Sequence, residues 1–180
     1  MTITDDQNVI RIEPTGFSVE GWPVAFTYGY GSAHNLLQCN VFSLFIGLDG
    51  HRYMAIAYAR PHVLDRSKTS KVRGRSIAAA RLAKFYQLYH GATHAEGMDA
   101  ASRVKGIRIY RLADQTVTYS KAHDTGDVDL VQGPEFVKHQ IPTIVVNEKG
   151  RRSAARFERV SPFVMAKMYR KLMGLKRGEL

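Results

Sequence analysis

Two apolar runs, Val41 to Leu48 and Tyr53 to Arg60, face each other across Asp49-Gly50, and they constrain the fold more than any other feature of the chain. Asp-Gly supplies the positive φ angles of a type I′ turn, so the runs are expected to pair as an antiparallel hairpin. In the second arm Tyr53, Ala55, Ala57 and Ala59 alternate with Met54, Ile56 and Tyr58. Both faces of that arm are apolar, which places it inside a sheet and not at its edge.

Further strands are expected at 9–13, 17–20 and 24–30, each bounded by Pro or Gly punctuation. Ile107 to Leu112 and Thr116 to Ser120 read as two more strands, joined by a turn at Ala113-Asp114-Gln115. Residues 123–135 carry Asp124, Asp127, Asp129 and Glu135 among Gly126, Gly133 and Pro134, and are expected to be a loop. A last hairpin is expected from Thr143 to Val160, turning through Asn147 to Gly150.

The 3.6-residue period marks a helix over about 71–89, with Ala78, Leu82, Phe85 and Tyr89 as its inward seam and Gly91 as its cap. Residues 92–104 form a loop or short helix. Ser161-Pro162 is an N-cap followed by proline at the first helical position, and Gly174 suits a left-handed end. That sets a second main helix at about 162–173. The expected fold class is α+β: a largely antiparallel sheet of hairpins backed by those two helices. The expected organisation is a flexible N-terminus at 1–8, one globular α+β domain at 9–175 and a basic tail at 176–180.

A chain of 180 residues with 44% hydrophobic content is long enough to bury a core. Its lone Cys39 forms no internal disulfide, the first residues lack the basic and apolar parts of a signal peptide, and no run reaches a membrane span. These features point to a cytoplasmic protein with no membrane partner.

Charge is unevenly divided. Residues 1–59 hold two basic side chains against five acids, whereas the rest of the chain holds 24 Lys and Arg against 11 acids, for a net charge of +10. The densest cationic segment runs through Arg66, Lys68, Lys71, Arg73, Arg75, Arg81 and Lys84. A second set at Arg103, Lys105, Arg108 and Arg111 and a third around Arg151, Arg152 and Arg156 add to it. Such a distribution attracts phosphate-rich polymers or acidic surfaces.

Catalytic and metal signatures are weak. His90 and His94 are four apart but Gly91 interrupts the helix between them, and His34 with Cys39 matches no nucleophilic arrangement. The acids of 124–129 do not follow a calcium loop, and no phosphate-binding glycine motif occurs. No cofactor or metal, and no enzyme activity, is expected.

The segment Ser67-Lys68 through Arg73-Gly74-Arg75-Ser76-Ile77-Ala78-Ala79-Ala80-Arg81, following one arm of the hairpin, resembles a hairpin and basic helix that recur in small bacteriophage-encoded proteins of unassigned function. The resemblance covers residues 51–84 and implies a phage origin, hence a bacterial host cytoplasm. The expected function is non-enzymatic binding of DNA or RNA, single-stranded or non-specific duplex. Arg66, Lys68, Lys71, Arg73, Arg75, Arg81, Lys84, Arg151, Arg152 and Arg156 would hold the phosphate backbone. The alternative is a phage interaction protein that binds an acidic host or phage protein, with the acidic first part supporting head-to-tail self-association.

Overall fold

The computed structural model describes residues 2–4, 9–11, 18–30, 36–60, 71–90, 93–101, 104–139 and 160–175. Eight strands and three helices follow in the order β1 (Thr2–Thr4), β2 (Val9–Arg11), β3 (Ser18–Val19), β4 (Trp22–Tyr30), β5 (Leu36–Ile46), β6 (Arg52–Ala59), α1 (Lys71–Leu88), α2 (His94–Ala101), β7 (Ile107–Ala122), β8 (Val128–His139) and α3 (Pro162–Leu172). β1 pairs with β2, and the remaining six form one antiparallel sheet in sequence order. The fold is α+β, as the hairpin pattern requires. The expected hairpin at 143–160 lies outside the described residues, as does the Gly91 cap.

β5 and β6 occupy the middle of the sheet, and each contributes two buried faces. On one face Val41, Phe45, Tyr53, Ala55, Ala57 and Ile109 pack against Ala78, Leu82 and Phe85 of α1 and Met98 of α2. Gly74, Ala78, Leu82 and Phe85 recur at helical spacing and are buried. They meet the alanine column Ala55, Ala57, Ala59, so small groups on both partners let helix and sheet approach closely. On the other face Phe42, Leu44, Met54, Ile56 and Leu112 pack against Met165, Leu172 and Met173 at α3. Three polar residues also lie inside: Ser43 Oγ accepts from the Tyr86 hydroxyl at 2.7 Å, the Gln38 amide donates to Asn40 Oδ1 at 2.7 Å, and Asn40 donates to Thr27 Oγ1 at 3.2 Å. Partners of this kind are what buried amides require.

Turn chemistry differs from the expectation in an instructive way. The β5–β6 connection spans Gly47 to His51, with Gly50 N–H donating to Gly47 C=O and Gly47 N–H donating to His51 C=O. Gly50 has φ +82°, while Asp49 does not enter the positive region. The connection is therefore a type I turn closed by a glycine bulge and not type I′. The true two-residue turn is Glu20-Gly21, at φ +51° and +80°, where Val19 pairs directly with Trp22 and leaves only two residues to reverse the chain.

Two other expectations fail together. Ala113-Asp114-Gln115 is not a turn: β7 runs from Ile107 to Ala122, and its register against β8 jumps between Ala113 and Thr116 as a bulge. Of the expected loop at 123–135 only 123–127 is a turn, because Val128–His139 is a strand that pairs with nearly the whole of β7. The expected strand at Thr116 to Ser120 does lie within β7, whereas residues 120–130 of the ribbon are all exposed, so no burial imposes a pattern there.

α3 ends as its sequence directs. Ser161 Oγ accepts from Val164 N–H at 3.3 Å. Gly174 at φ +66° donates to Lys171 C=O while Leu175 donates to Arg170 C=O, which together close a Schellman motif.

Candidate nucleic-acid interface

α1 carries five basic residues and no acid over its 18 residues. Helical geometry distributes them in three directions. Arg73 and Lys84 are exposed on the outward side with Ile77. Lys71 and Arg75 lean toward β4, where the Lys71 ammonium lies 4.8 Å from the Tyr28 ring centroid and the Arg75 guanidinium 6.0 Å from that of Phe26. Period two puts Phe26 and Tyr28 on the same face of β4, beside the helix. The result is a ledge on which cations and half-buried rings alternate.

Arg81 points the third way and is half-buried. Its Nη1 donates to the Tyr58 carbonyl at 2.6 Å, and it lies over Gly106, where an added Cβ would come within 3.1 Å of that nitrogen. This side chain ties α1 to the end of β6, so its charge serves the fold. Arg66, Lys68, Arg151, Arg152 and Arg156 lie outside the described residues, as do Arg103 and Phe157. Lys105 is exposed, and Arg108 and Arg111 are half-buried on β7.

Of the aromatic residues near the basic segments, Tyr86 and Tyr110 belong to the two cores. The Tyr86 hydroxyl donates to Ser43 Oγ at 2.7 Å, and burial holds that phenol well above its ordinary range. Phe26 and Tyr28 are the rings that accompany cations of α1. The alternation of Val24, Phe26 and Tyr28 was the available signal for them, though only the fold shows that they face α1.

The densest group of titratable side chains lies elsewhere, around the β5–β6 turn. Tyr53 donates to Asp49 Oδ2 at 2.5 Å. The Tyr89 oxygen accepts the Leu48 N–H at 3.0 Å and is 2.5 Å from His94 Nδ1. If Tyr89 donates its own proton to Nδ1, the imidazole hydrogen is on Nε2. That nitrogen is buried without a hydrogen-bond partner among the described residues, 3.9 Å from Asp49 Oδ2. The His94 ring stacks on Tyr53 at 4.8 Å and meets His139 edge-on at 5.4 Å. Burial pushes the His94 pKa down; Asp49 opposes this, and His139 and His51 add to it. Burial raises Asp49, but the Tyr53 and His51 hydrogen bonds with the nearby histidines outweigh it and leave that carboxyl below its usual range.

An imidazole beside a carboxylate is raw material for acid–base chemistry, but here the available nitrogen is sealed from solvent. The cluster reads as a polar knot tying turn, α1, α2 and β8 together. His90 is exposed and His94 is in the knot, so the two do not form a ligand pair. No group of three metal-ligating side chains occurs among the described residues. Cys39 is buried, and burial drives its thiol up to about 11, with Arg75 opposing. No described helix is long and apolar enough to cross a membrane.

Comparison with known proteins finds no matching family model, no matching curated protein and no matching solved structure.

Proposed function

We propose that the chain binds nucleic acid non-enzymatically along the α1–β4 ledge, by contacts to the phosphate backbone with little sequence preference. The supporting observation is the pairing on one helix of an acid-free run of cations with the rings of Phe26 and Tyr28. Cations release condensed counterions when they neutralise phosphates, and rings provide sequence-tolerant stacking for unpaired bases. That combination favours single strands over duplex. The phage setting and the 151–156 cations of the expected track belong to the same proposal.

The test is fluorescence anisotropy of nuclease-treated protein with single- and double-stranded oligonucleotides across a salt series. Four cations, Lys71, Arg73, Arg75 and Lys84, set an expected log–log salt slope of about −3 for single strands. Lys71→Ala with Arg75→Ala, the two cations of the ledge, should weaken binding and reduce that slope by about half. Arg81→Ala should lower stability with little change in slope, because that guanidinium is held by Tyr58. An unchanged slope in the Lys71/Arg75 variant removes the ledge from the account. Absence of binding at physiological salt transfers the assignment to an acidic protein partner.

A further inference from the structure

On the opposite side of the sheet from α1, the bulge in β7 opens a cavity of about 180 Å³. Ala113 pairs with Glu135 and Thr116 with Pro134, so Asp114 and Gln115 have no opposite residue and the strand bows outward there. The last turn of α3 closes the bow with Tyr169 and Arg170, and Arg52 enters from the start of β6. We propose that this cavity is a binding site for a small phosphomonoester, with the phosphate held between Arg52 and Arg170 and the organic part against Leu112, Pro134 and Leu175.

The chemistry of the lining carries the assignment. Arg52 and Arg170 are its two cations and Asp114 its one acid. Both guanidiniums act on the same Tyr169 hydroxyl: burial raises that phenol's pKa, and the two arginines oppose the rise, with Arg52 also hydrogen-bonded to it. Two guanidiniums and a phenol in one lining offer several donors to the oxygens of a phosphate. Arg170 Nη1 also donates to Gln132 C=O at 3.4 Å, which orients the guanidinium. All three side chains are half-buried, so their field is less screened than at an open surface.

Two effects oppose an anion here: the Asp114 carboxyl in the lining, and the C-terminus of a helix, which presents partial negative charge. Arg170 and Lys171 in the last turn and the Schellman bonds to the Arg170 and Lys171 carbonyls offset it. Size sets the ligand class. The volume lies below the roughly 300–1,000 Å³ of clefts that engulf drug-sized molecules, so a headgroup fits and a polymer does not.

The test titrates the intact protein with inorganic phosphate, a nucleoside 5′-monophosphate and the parent nucleoside at constant ionic strength, read by amide chemical shifts and calorimetry. Phosphate and the monophosphate should move the amides of 113–116 and 132–133 at millimolar concentration or below, and the nucleoside should not. Tighter binding of the monophosphate than of phosphate assigns the ligand to the esters; equal binding assigns it to phosphate itself and overturns the ester reading. Arg52→Gln with Arg170→Gln should weaken binding at least about tenfold, as loss of charge-assisted bonds does. Tyr169→Phe, which preserves packing, should weaken it severalfold and serves as the reporter if the double variant does not fold. Absence of binding, or binding that survives these substitutions in folded protein, overturns the proposal. Lys71→Ala with Arg75→Ala should leave phosphate affinity unchanged, so failure of the ledge and failure of this cavity are distinguishable.

Discussion

The chain makes the same turn twice and puts it to opposite uses. In Gly47–His51 and in His123–Asp127 the first N–H donates to the fifth carbonyl, the fourth N–H donates to the first carbonyl, and a glycine holds the fourth position at φ +82° or +88°. Each turn also has a histidine–aspartate pair. His123 and Asp129 are 2.6 Å apart, with side chains 39% and 56% exposed; His94 and Asp49 are 3.9 Å apart, but only 13% and 28% exposed. The shorter contact contributes little, because solvent screens it and side-chain entropy opposes it. Context decides what a turn does: the first is embedded among Tyr53, Tyr89 and His94, and the second lies at the tip of a ribbon whose residues 120–130 are all exposed.

The comparison breaks first at Tyr53. Its ring stacks on Phe45 and His94 and its hydroxyl holds Asp49, so Tyr53→Ala should lower stability by about 3–5 kcal/mol in chemical denaturation. A loss below about 1 kcal/mol would show that the knot packs more loosely than its distances imply. Next in size are the glycines. An added Cβ meets nothing within 4 Å at Gly50 or Gly126, so each Ala variant should lose only the left-handed backbone term, about 1–2 kcal/mol, and the two losses should match. A much larger loss at Gly50 would show that the turns are not equivalent in backbone strain.

The third prediction is pH dependence. His94 is faced by Asp49 and His51 of the turn and by His139 of β8, while Tyr53, with Arg111 of β7 nearby, stacks on it. Its folded pKa is lowered, so the unfolded chain binds more protons between that value and the ordinary one near 6.5. Stability should therefore fall as pH drops from about 6.5 toward the lowered folded value, and His94→Gln should flatten that window. Asp49 acts at lower pH: its depressed carboxyl contributes stability above the ordinary carboxylate range that is lost on further acidification. An identical pH profile in the His94→Gln variant would break the argument. The smallest effect belongs to the outer turn, where His123→Ala should change stability by no more than about 0.5 kcal/mol.

The same contrast explains what was legible in the sequence. β5, β6, α1 and α3 were readable because burial imposes a period, seen in Ala55, Ala57, Ala59 and in Ala78, Leu82, Phe85, and because Ser161, Pro162 and Gly174 mark the ends of α3 by local chemistry. Thr116 to Ser120 was readable as strand, with Val117 and Tyr119 half-buried between exposed Thr116, Thr118 and Ser120, but the ribbon tip at 121–130 was not, since all of it is exposed and no burial enforces alternation. Asp49-Gly50 identified a hairpin but not its type, which depended on how many residues lay between the paired strand ends. For the ledge, the cations of α1 were evident from composition, whereas Phe26 and Tyr28 join it only through tertiary placement. The knot was hidden for the same reason: Asp49, Tyr89, His94 and His139 are scattered along the chain and meet only where four elements converge.

Cys39 has a practical consequence. It is the chain's only cysteine, it is fully buried at the centre of the sheet, and its thiol is held protonated at neutral pH. Thiolate-selective reagents should therefore pass over the native protein. A cysteine introduced at an exposed position such as Ala122 would take up a fluorophore or spin label alone, so the reach of the ribbon tip is measurable by spectroscopy without first removing the native sulfur.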